Sequence, residues 1–295
     1  MIATTGFFDG VHLGHRLVIE RLVSLARERG DESLVVTFWP HPRAVLQDGA
    51  RELRLLNSLE EKKELLRSLG VDRVEVLDFT RSFAALTAEQ YLREILRDRY
   101  GVTTLLMGYD NRLGSDRLTA DTLKPIAEGI GMELKELLPL SFRPSEASGE
   151  ISSTQIRTAL ENGDIVSAAE MLGYGYSLKG VVVAGNRLGR TIGFPTANMK
   201  LYEPLKLVPG RGVYAVEAEV LGKKYRGMTN IGLRPTVGGS FTTIETHILD
   251  FDEDIYGLPL RITFLRRLRD EVHFPSLEAL KDQLEKDRDC CREQK

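Results

Sequence analysis

The feature that most constrains the fold is a change of hydrophobic pattern past the middle of the chain. In residues 2–172 short apolar runs alternate with helical patterns, whereas the segments after 173–176 are mostly short strands between Gly, Pro and charged turns. The first pattern predicts a parallel sheet with helices on both faces, and the second predicts a small antiparallel barrel. Since 295 residues suffice for two domains, we expect domains at 1–174 and 175–295.

Helix start signals support the α/β interpretation of the first part. Ser58 is followed three residues later by Glu61, and Thr87 by Gln90. Both pairs fit the capping box, in which the two side chains satisfy free backbone N–H groups at a helix start. The predicted strands are 2–7, 33–39, 74–77 and 104–107, and the predicted helices are 13–29, one from 58, one after 87, and 121–130.

The second part has five segments with strand character and one closing helix. The strands are predicted at 178–184, 212–221, 224–230, 243–249 and 260–265. Ser276 is the expected cap of the last helix, and Leu277, Leu280 and Leu284 lie on one face of it.

Charge and composition exclude several classes of protein. The 40 Lys and Arg residues nearly balance the 43 Asp and Glu residues, so nothing favours nucleic acid or an anionic membrane as partner. No apolar run approaches the roughly 18 residues that span a bilayer, and the first residues lack the pattern of a signal peptide. We expect a cytoplasmic protein whose adjacent Cys290 and Cys291 are ordinary thiols.

A short segment between the first strand and the first helix predicts an anion site. It runs Gly6-Phe-Phe-Asp9-Gly-Val-His12-Leu-Gly14-His15. Two imidazoles three residues apart share one side of a helix start, where free N–H groups and the helix dipole favour anions. The alternative is a pair of structural histidines at a helix cap.

A second candidate anion site opens another predicted helix near the end of the first part. The segment 151–157 brings Ser153 and Thr154 to the helix start and Arg157 one turn later. Hydroxyls, free amides and a guanidinium suit a polyphosphate, although Ser and Thr are also ordinary N-caps. Because helix starts at the carboxyl ends of parallel strands face one crevice, we expect this segment and the two histidines to serve one ligand.

The predicted barrel carries a glycine-rich segment at 185–198. It combines glycines such as Gly193 with arginines and ends in Pro195-Thr196-Ala-Asn198. Backbone N–H groups and cations can cradle phosphate, and the oxygens of Thr196 and Asn198 suit Mg²⁺. The spacing is not that of a Walker loop, and the alternative is a barrel loop with glycine turns.

A carboxylate on one of the predicted strands is a candidate general base. Glu245 stands two residues before His247, so both side chains point to one face of the strand. On spacing alone, Glu245 is more often an ordinary exposed carboxylate, and His247 is interpreted as structural.

Together these segments resemble a known enzyme family. Residues 6–15 with 151–157 resemble the nucleotidyltransferase superfamily, and Phe8-Asp-Gly-Val-His-Leu-Gly-His15 looks like the adenylyltransferase half of bacterial bifunctional riboflavin kinase/FAD synthetases. His41-Pro42, the Glu61-Lys62 helix and residues 108–114 extend the resemblance. Asp110-Asn-Arg-Leu-Gly114 departs from it, because the family usually carries Asp-Phe-Arg-Phe-Gly there.

The resemblance implies roles for the first part. His12 and His15 would contact ATP phosphates, with Gly6, Asp9 and Gly14 in the same nucleotide-binding segment. The pyrophosphate side of ATP would be bound by Ser153, Thr154 and Arg157. FMN would then be adenylylated to FAD.

The second part resembles riboflavin kinases in the order of three segments, which are 193–198, 230–236 and 245–251. That order implies a six-stranded barrel in which Thr196 and Asn198 hold Mg-ATP and Glu245 is the general base. Gly193 and Asn230 would line the same site. The implied cofactor is Mg²⁺ with ATP, and riboflavin, FMN and FAD are the substrates or products.

Two other functions stay open at this point. A related nucleotidyltransferase could use another acceptor than FMN, or leave the first domain idle beside an active kinase. A non-catalytic flavin-binding or RNA-binding module is the other alternative, for which the near-neutral charge gives little support. The expected partners are small molecules, without nucleic acid or membrane, in a monomer or weak homo-oligomer.

Overall fold

The structure is a computed structural model that describes residues 1–46, 53–108, 111–137, 151–185, 188–236 and 239–292. The side chains of 188, 234–236, 239 and 240 are not described. Contacts divide the chain into two compact units, Met1–Ser152 and Ser153–Lys295.

The first unit is built on a five-stranded parallel sheet. Its strands are β1 Ile2–Thr5, β2 Ser33–Trp39, β3 Arg73–Asp78, β4 Thr104–Gly108 and β5 Glu133–Leu137. The order across the sheet is β3-β2-β1-β4-β5, and every neighbouring pair is parallel. The helices are α1 Leu13–Arg29, α2 Pro42–Leu46, α3 Leu59–Ser68, α4 Arg81–Ala84, α5 Ala88–Gln90 and α6 Ala120–Gly129, with a π-helical continuation of α5 at Tyr91–Arg99.

Helices cover both faces of this sheet, as the hydrophobic pattern predicts. Ala3 and Leu34 face a core formed with α6 and the 88–99 helix. Ile2 and Val35 face the opposite core, which is formed with α1 and α3. Adjacent strand residues therefore point to different cores, since side chains alternate along a strand.

Local capping confirms the predicted helix starts. The Ser58 hydroxyl accepts from the backbone N–H of Glu61, whose carboxylate accepts from the N–H of Ser58 in return. Thr87 and Gln90 form the same reciprocal pair at the start of α5. Each pair satisfies two backbone donors that have no partner inside the helix.

The second unit begins with two helices and continues as a closed antiparallel barrel. The helices are α7 Ser153–Glu161 and α8 Ile165–Leu172. The strands are β6 Ser177–Val183, β7 Ala197–Leu201, β8 Gly212–Val220, β9 Lys223–Thr236, β10 Gly239–Ile248 and β11 Pro259–Arg269, with the short α9 Leu188–Thr191 between β6 and β7. The strands close in the order β10-β7-β6-β11-β8-β9.

Helix α7 packs on the barrel. The N–H of Gly210 donates to the Leu160 carbonyl, and a Cβ at Gly210 would fall 2.3 Å from the carbonyl oxygen of Glu161. The compact units thus divide at Ser152, whereas the change in hydrophobic pattern falls after Leu172. A functional boundary at 174/175 stays a prediction.

The closing helix α10, Leu277–Arg292, covers part of the outer face of the barrel. Its buried contacts come from Asp287 and Cys291, with Leu284 partly buried, whereas Leu277 is half exposed. Asp287 forms an ion pair of 2.8 Å with Arg269 at the end of β11. The apolar stripe predicted for this helix therefore accounts for only part of its contact with the barrel.

The predicted fold class is confirmed, with additions. Neither β5 nor β7 is predicted as a separate strand from the sequence, and β9 and β11 are longer than expected. Burial raises the pKa of the Cys291 thiol to about 11, in keeping with an unreactive side chain. Among the described residues, no helix has the length and apolar character needed to cross a bilayer.

Candidate active sites in the two units

The loop between β1 and α1 holds an unusual backbone conformation. Phe8 and Val11 have positive φ angles of 53° and 36°, although neither is glycine. Both side chains are buried, at 6% and 1% exposed. Positive φ angles at such residues cost about 1–3 kcal/mol each and persist where packing enforces them, often at functional sites. This strained loop places His12 at the start of α1.

His12 is the N-cap of α1. Its Nδ1 accepts from the backbone N–H of His15 at 3.4 Å, and its ring stacks on that of His15 with centroids 3.6 Å apart. Since Nδ1 is an acceptor here, the hydrogen of the neutral ring lies on Nε2. Gly14 makes room for this arrangement, because a Cβ there would lie 3.3 Å from the His12 ring.

His15 has an unsatisfied buried nitrogen. Its Nδ1 is inaccessible and has no hydrogen-bond partner in the described part of the chain. Burial lowers the pKa of His15 well below its usual value, and the proximity of His12 and Lys62 lowers it further. The imidazole is therefore neutral near pH 7. A buried polar atom without a partner costs free energy, and such groups occur at functional sites.

Asp9 anchors the loop to a neighbouring segment. Its carboxylate, 4% exposed, accepts from the backbone N–H groups of Leu56 and Asn57 at 3.0–3.3 Å. These bonds fix the loop conformation that presents His12 and His15. Gly6 lies at the start of the same loop, against the ring of Phe8.

Lys62 is a functional candidate to which the sequence assigns no role. Its side chain, on α3, is fully buried, and its Nζ lies 3.5 Å from the centroid of the Phe7 ring and 3.5 Å from the Thr37 hydroxyl. Burial lowers its pKa to about 8, against a smaller opposite effect of Asp9. The sequence points to Lys62 only through the resemblance of the Glu61-Lys62 helix, and a lysine next to a glutamate on a helix usually indicates a solvated face.

The chain returns to the histidine loop just before α7. The carbonyl oxygen of Ile151 lies 3.9 Å from the position of a Cβ on Gly14. Ser153 and Thr154 form the first turn of α7, and Arg157 follows one turn later. The predicted helix start is confirmed, and α7 belongs to the second compact unit.

Aromatic rings cluster at the carboxyl ends of β2 and β3. Phe38, Phe79 and Phe83 pack with centroids 5.5–5.9 Å apart, and Phe83 also meets Tyr91 at 5.8 Å. Leu113 packs against the same core, and Tyr109 and Asp110 lie outside the described residues. The first unit therefore has aromatic rings at this edge even though the 110–114 segment lacks them.

In the barrel, three strands bring polar side chains into one row. Glu245 of β10 stands directly opposite Asn198 of β7 and Asn230 of β9. Directly opposed residues of antiparallel strands have Cβ atoms about 4.5–5.5 Å apart and share one face. Thr246, the next residue, is fully buried and shares a hydrogen bond with Thr229, so it points inward and Glu245 outward.

The segment before β7 adds a hydroxyl to this row. Thr196 donates to Oε2 of Glu245 at 3.3 Å. Gly193 lies in the turn that precedes it, with a φ of 84° that favours glycine. Gly185 packs tightly on Asn198, since a Cβ there would fall 2.1 Å from Nδ2 of Asn198. Residues 186 and 187 of the predicted phosphate loop lie outside the described residues.

The oxygens of this row fit Mg²⁺ carried by a nucleotide. A hydroxyl, an amide oxygen and a carboxylate are hard donors. Among the described residues, no three His, Cys, Asp or Glu side chains form a cluster that could hold a metal alone. Mg²⁺ usually binds one or two protein oxygens and completes its shell with water and phosphates. The donor set therefore suits a metal that arrives with ATP.

A cavity of about 260 Å³ adjoins Thr196. Arg190 and the turn at 251–256 are among the residues that line it. The turn is exposed at Asp252, Glu253 and Asp254, as its polarity predicts. Its place at a cavity is not evident from the sequence, because it depends on how β6, β7 and β10 close the barrel.

Comparisons with known proteins agree with both halves of this geometry. The FAD synthetase family model matches residues 1–155, and the riboflavin kinase model matches residues 172–295. A bifunctional riboflavin kinase/FMN adenylyltransferase of Bacillus subtilis is 37% identical over 97% of this chain and 90% of its own length. The chain belongs to this family. The Escherichia coli K12 member is 38% identical over 99% of this chain and 92% of its own.

A solved structure shares the whole architecture of this family member. A crystal structure described as a macrolide-efflux protein from Streptococcus pneumoniae matches with a TM-score of 0.91 and 33% identity. The match covers 100% of this chain and 94% of the other. The complete two-unit fold is therefore shared with a solved protein.

Proposed function

We propose that this family member makes FMN from riboflavin in its barrel and FAD from FMN in its α/β unit, using ATP in each reaction. The observation that carries the proposal is the row of Asn198, Glu245 and Asn230, with the Thr196 hydroxyl 3.3 Å from the carboxylate. The row joins the three segments that resemble riboflavin kinases.

For phosphorylation, Glu245 acts as general base. It accepts the proton of the terminal ribityl hydroxyl as that oxygen bonds to the γ-phosphorus of ATP and the bond to ADP breaks. Thr196 and Asn198 would hold the Mg²⁺ of Mg-ATP, which neutralises charge on the phosphates when bound. Asn230 and the turn at Gly193 complete the polar surface around Glu245.

For adenylylation, the phosphate of FMN attacks the α-phosphorus of ATP and pyrophosphate leaves. The protein positions the two reactants and stabilises charge, without a covalent intermediate. His12 and His15 offer imidazole nitrogens, Lys62 adds a cation, and Asp9 holds their loop. We keep Ser153, Thr154 and Arg157 as residues for the pyrophosphate side.

The flavin ring needs an apolar surface in the first unit. The half-buried cluster of Phe38, Phe79 and Phe83 offers aromatic faces at the carboxyl edge of the sheet, where ligands of open α/β sheets bind. This cluster supports FMN as acceptor, even with Asn111 and Leu113 in place of aromatic residues.

The test is incubation of purified protein with riboflavin and Mg-ATP, followed by chromatography of the flavins. Formation of FMN and then FAD supports both assignments. FMN alone would show an idle first unit, and unchanged riboflavin would reject the kinase. A cytoplasmic location and a monomer or weak homo-oligomer stay predictions.

A further inference from the structure

His247 makes a hydrogen bond whose direction is fixed by chemistry. Its Nδ1 lies 2.8 Å from the carbonyl oxygen of Pro195. Because a carbonyl oxygen only accepts, the hydrogen of the imidazole lies on Nδ1 and is donated to Pro195. His247 therefore links β10 to the residue that immediately precedes Thr196.

This bond lies just beyond the strand pairing. The register of β10 with β7 consists of Glu245 opposite Asn198 and Thr246 opposite Ala197. Pro195 and Thr196 precede β7 and lie outside this register. The side chain of His247 donates to the backbone carbonyl of Pro195 there.

The surroundings hold the imidazole in this orientation. Its ring meets that of Phe194 edge-on at 5.2 Å. Burial lowers the pKa of His247, with smaller contributions from Arg288 and Arg292 of α10, while the Pro195 carbonyl and Asp250 act in the opposite direction. The ring is neutral near pH 7, which leaves Nδ1–H as its single N–H donor.

Two side chains of strand β10 form hydrogen bonds to the segment 195–196. Glu245 accepts from the Thr196 hydroxyl at 3.3 Å, and two residues later His247 donates to the carbonyl of Pro195 at 2.8 Å. The first link joins two proposed functional groups, and the second fixes the backbone that carries one of them. Loss of the second link frees the Pro195–Thr196 peptide to rotate and moves the hydroxyl.

We propose that His247 is a positioning residue for riboflavin phosphorylation, which holds the Pro195 carbonyl so that the Thr196 hydroxyl stays at Glu245 and at the Mg-ATP site. The inference rests on the proposed roles of Thr196 and Glu245. His247 itself touches neither substrate nor metal in this assignment.

The test compares three substitutions in the full-length protein. His247→Asn keeps an N–H donor at about the distance of Nδ1, His247→Leu fills similar space without one, and His247→Asp has the shape of asparagine without the donor. We expect His247→Leu and His247→Asp to raise the KM for Mg-ATP about ten-fold, the scale of one lost hydrogen bond. We expect His247→Asn to recover most of this loss.

Two controls separate positioning from stability and from the site assignment. FAD formation from supplied FMN should be unchanged in all three variants, and thermal midpoints should be measured alongside. Wild-type KM in His247→Leu, or equal losses in the asparagine and aspartate variants, would overturn the positioning role. If Glu245→Gln phosphorylates riboflavin normally, the proposed kinase site fails instead. Should the leucine variant not fold, the asparagine and aspartate pair decides alone.

Discussion

Thr196 donates its hydroxyl hydrogen to the carboxylate of Glu245 at 3.3 Å, although the two residues are 49 positions apart. The contact depends on the closed order of the barrel, in which β7 and β10 are neighbours. It brings a candidate metal-holding oxygen to a candidate base. The kinase half of the function therefore depends on whether this carboxylate takes a proton.

Replacement of Glu245 by glutamine tests the base directly. Gln keeps the size and the oxygen that accepts from Thr196 but cannot take the proton, so we expect riboflavin phosphorylation to fall about 10²–10⁴-fold. FAD formation from supplied FMN should be unchanged. Chromatography of the flavins over time gives the rates of both reactions. Normal FMN production would reject Glu245 as the base.

Replacement of His15 by alanine should affect the other reaction. The cap of α1 uses the backbone N–H of His15, not its ring, so the helix start survives the substitution. We expect FAD formation to fall about 10²–10³-fold, the scale of one lost charge-stabilising donor, while FMN formation stays normal. His12→Ala is the companion variant, since it also removes the cap and should cost about 1 kcal/mol of stability. Unchanged FAD synthesis in both variants would contradict the assignment of His12 and His15 to the adenylylation site.

We expect Lys62 to lower the stability of the first unit while it supports FAD formation. Its pKa is about 8 in the folded protein against 10.5 for an exposed lysine. Below pH 8 both states are protonated, and the buried charge costs the folded state up to about 3 kcal/mol. Between pH 8 and 10.5 the unfolded state binds more protons, so the unfolding free energy rises with pH and the cost fades.

Lys62→Met should therefore stabilise the first unit at pH 7, by up to about 3 kcal/mol, and hardly at all above about pH 10. FAD formation should fall in the same variant, because a cation near the histidines is lost. Trp39 is the single tryptophan and lies in the first unit, so its fluorescence during urea unfolding reports on this unit. Destabilisation at pH 7 would show that the cation serves the fold.

Gly185 should be required for the position of Asn198. A methyl group at Gly185 would overlap the Asn198 amide, so Gly185→Ala should displace it and raise the KM for Mg-ATP several-fold, the scale of a weakened contact. Gly129→Ala, where a Cβ meets nothing within 4 Å, is the matched control. Equal kinetics of the two variants would contradict a metal-holding role for Asn198.

Periodicity predicts most of this fold, because it reports which residues must be buried. The apolar run in Ser33–Trp39 and the capping signals at Ser58 and Thr87 give elements close to those observed. The π-helical turn at 91–99 and the strand β7 have no such signal. Strand β7 is stabilised by pairing with β6, which precedes it, and with β10, which lies far from it along the chain.

The sequence predicts the candidate sites only in part, because it shows which residues are close along the chain but not which elements pack together. Local spacing indicates His12 and His15, since both stand at one helix start. Lys62 looks like a surface residue until α3 packs over Phe7. The role of Glu245 depends on which strands become its neighbours, and His247, interpreted as structural from the sequence, gains its bond to Pro195 only when β7 and β10 meet.

Mixing two variants tests the central claim, that two independent sites act in succession. Glu245→Gln should convert FMN to FAD but leave riboflavin unchanged, and His15→Ala should convert riboflavin to FMN and stop. The mixture, supplied with riboflavin and Mg-ATP, should produce FAD. No FAD in the mixture, or loss of both reactions in either variant alone, would contradict the account.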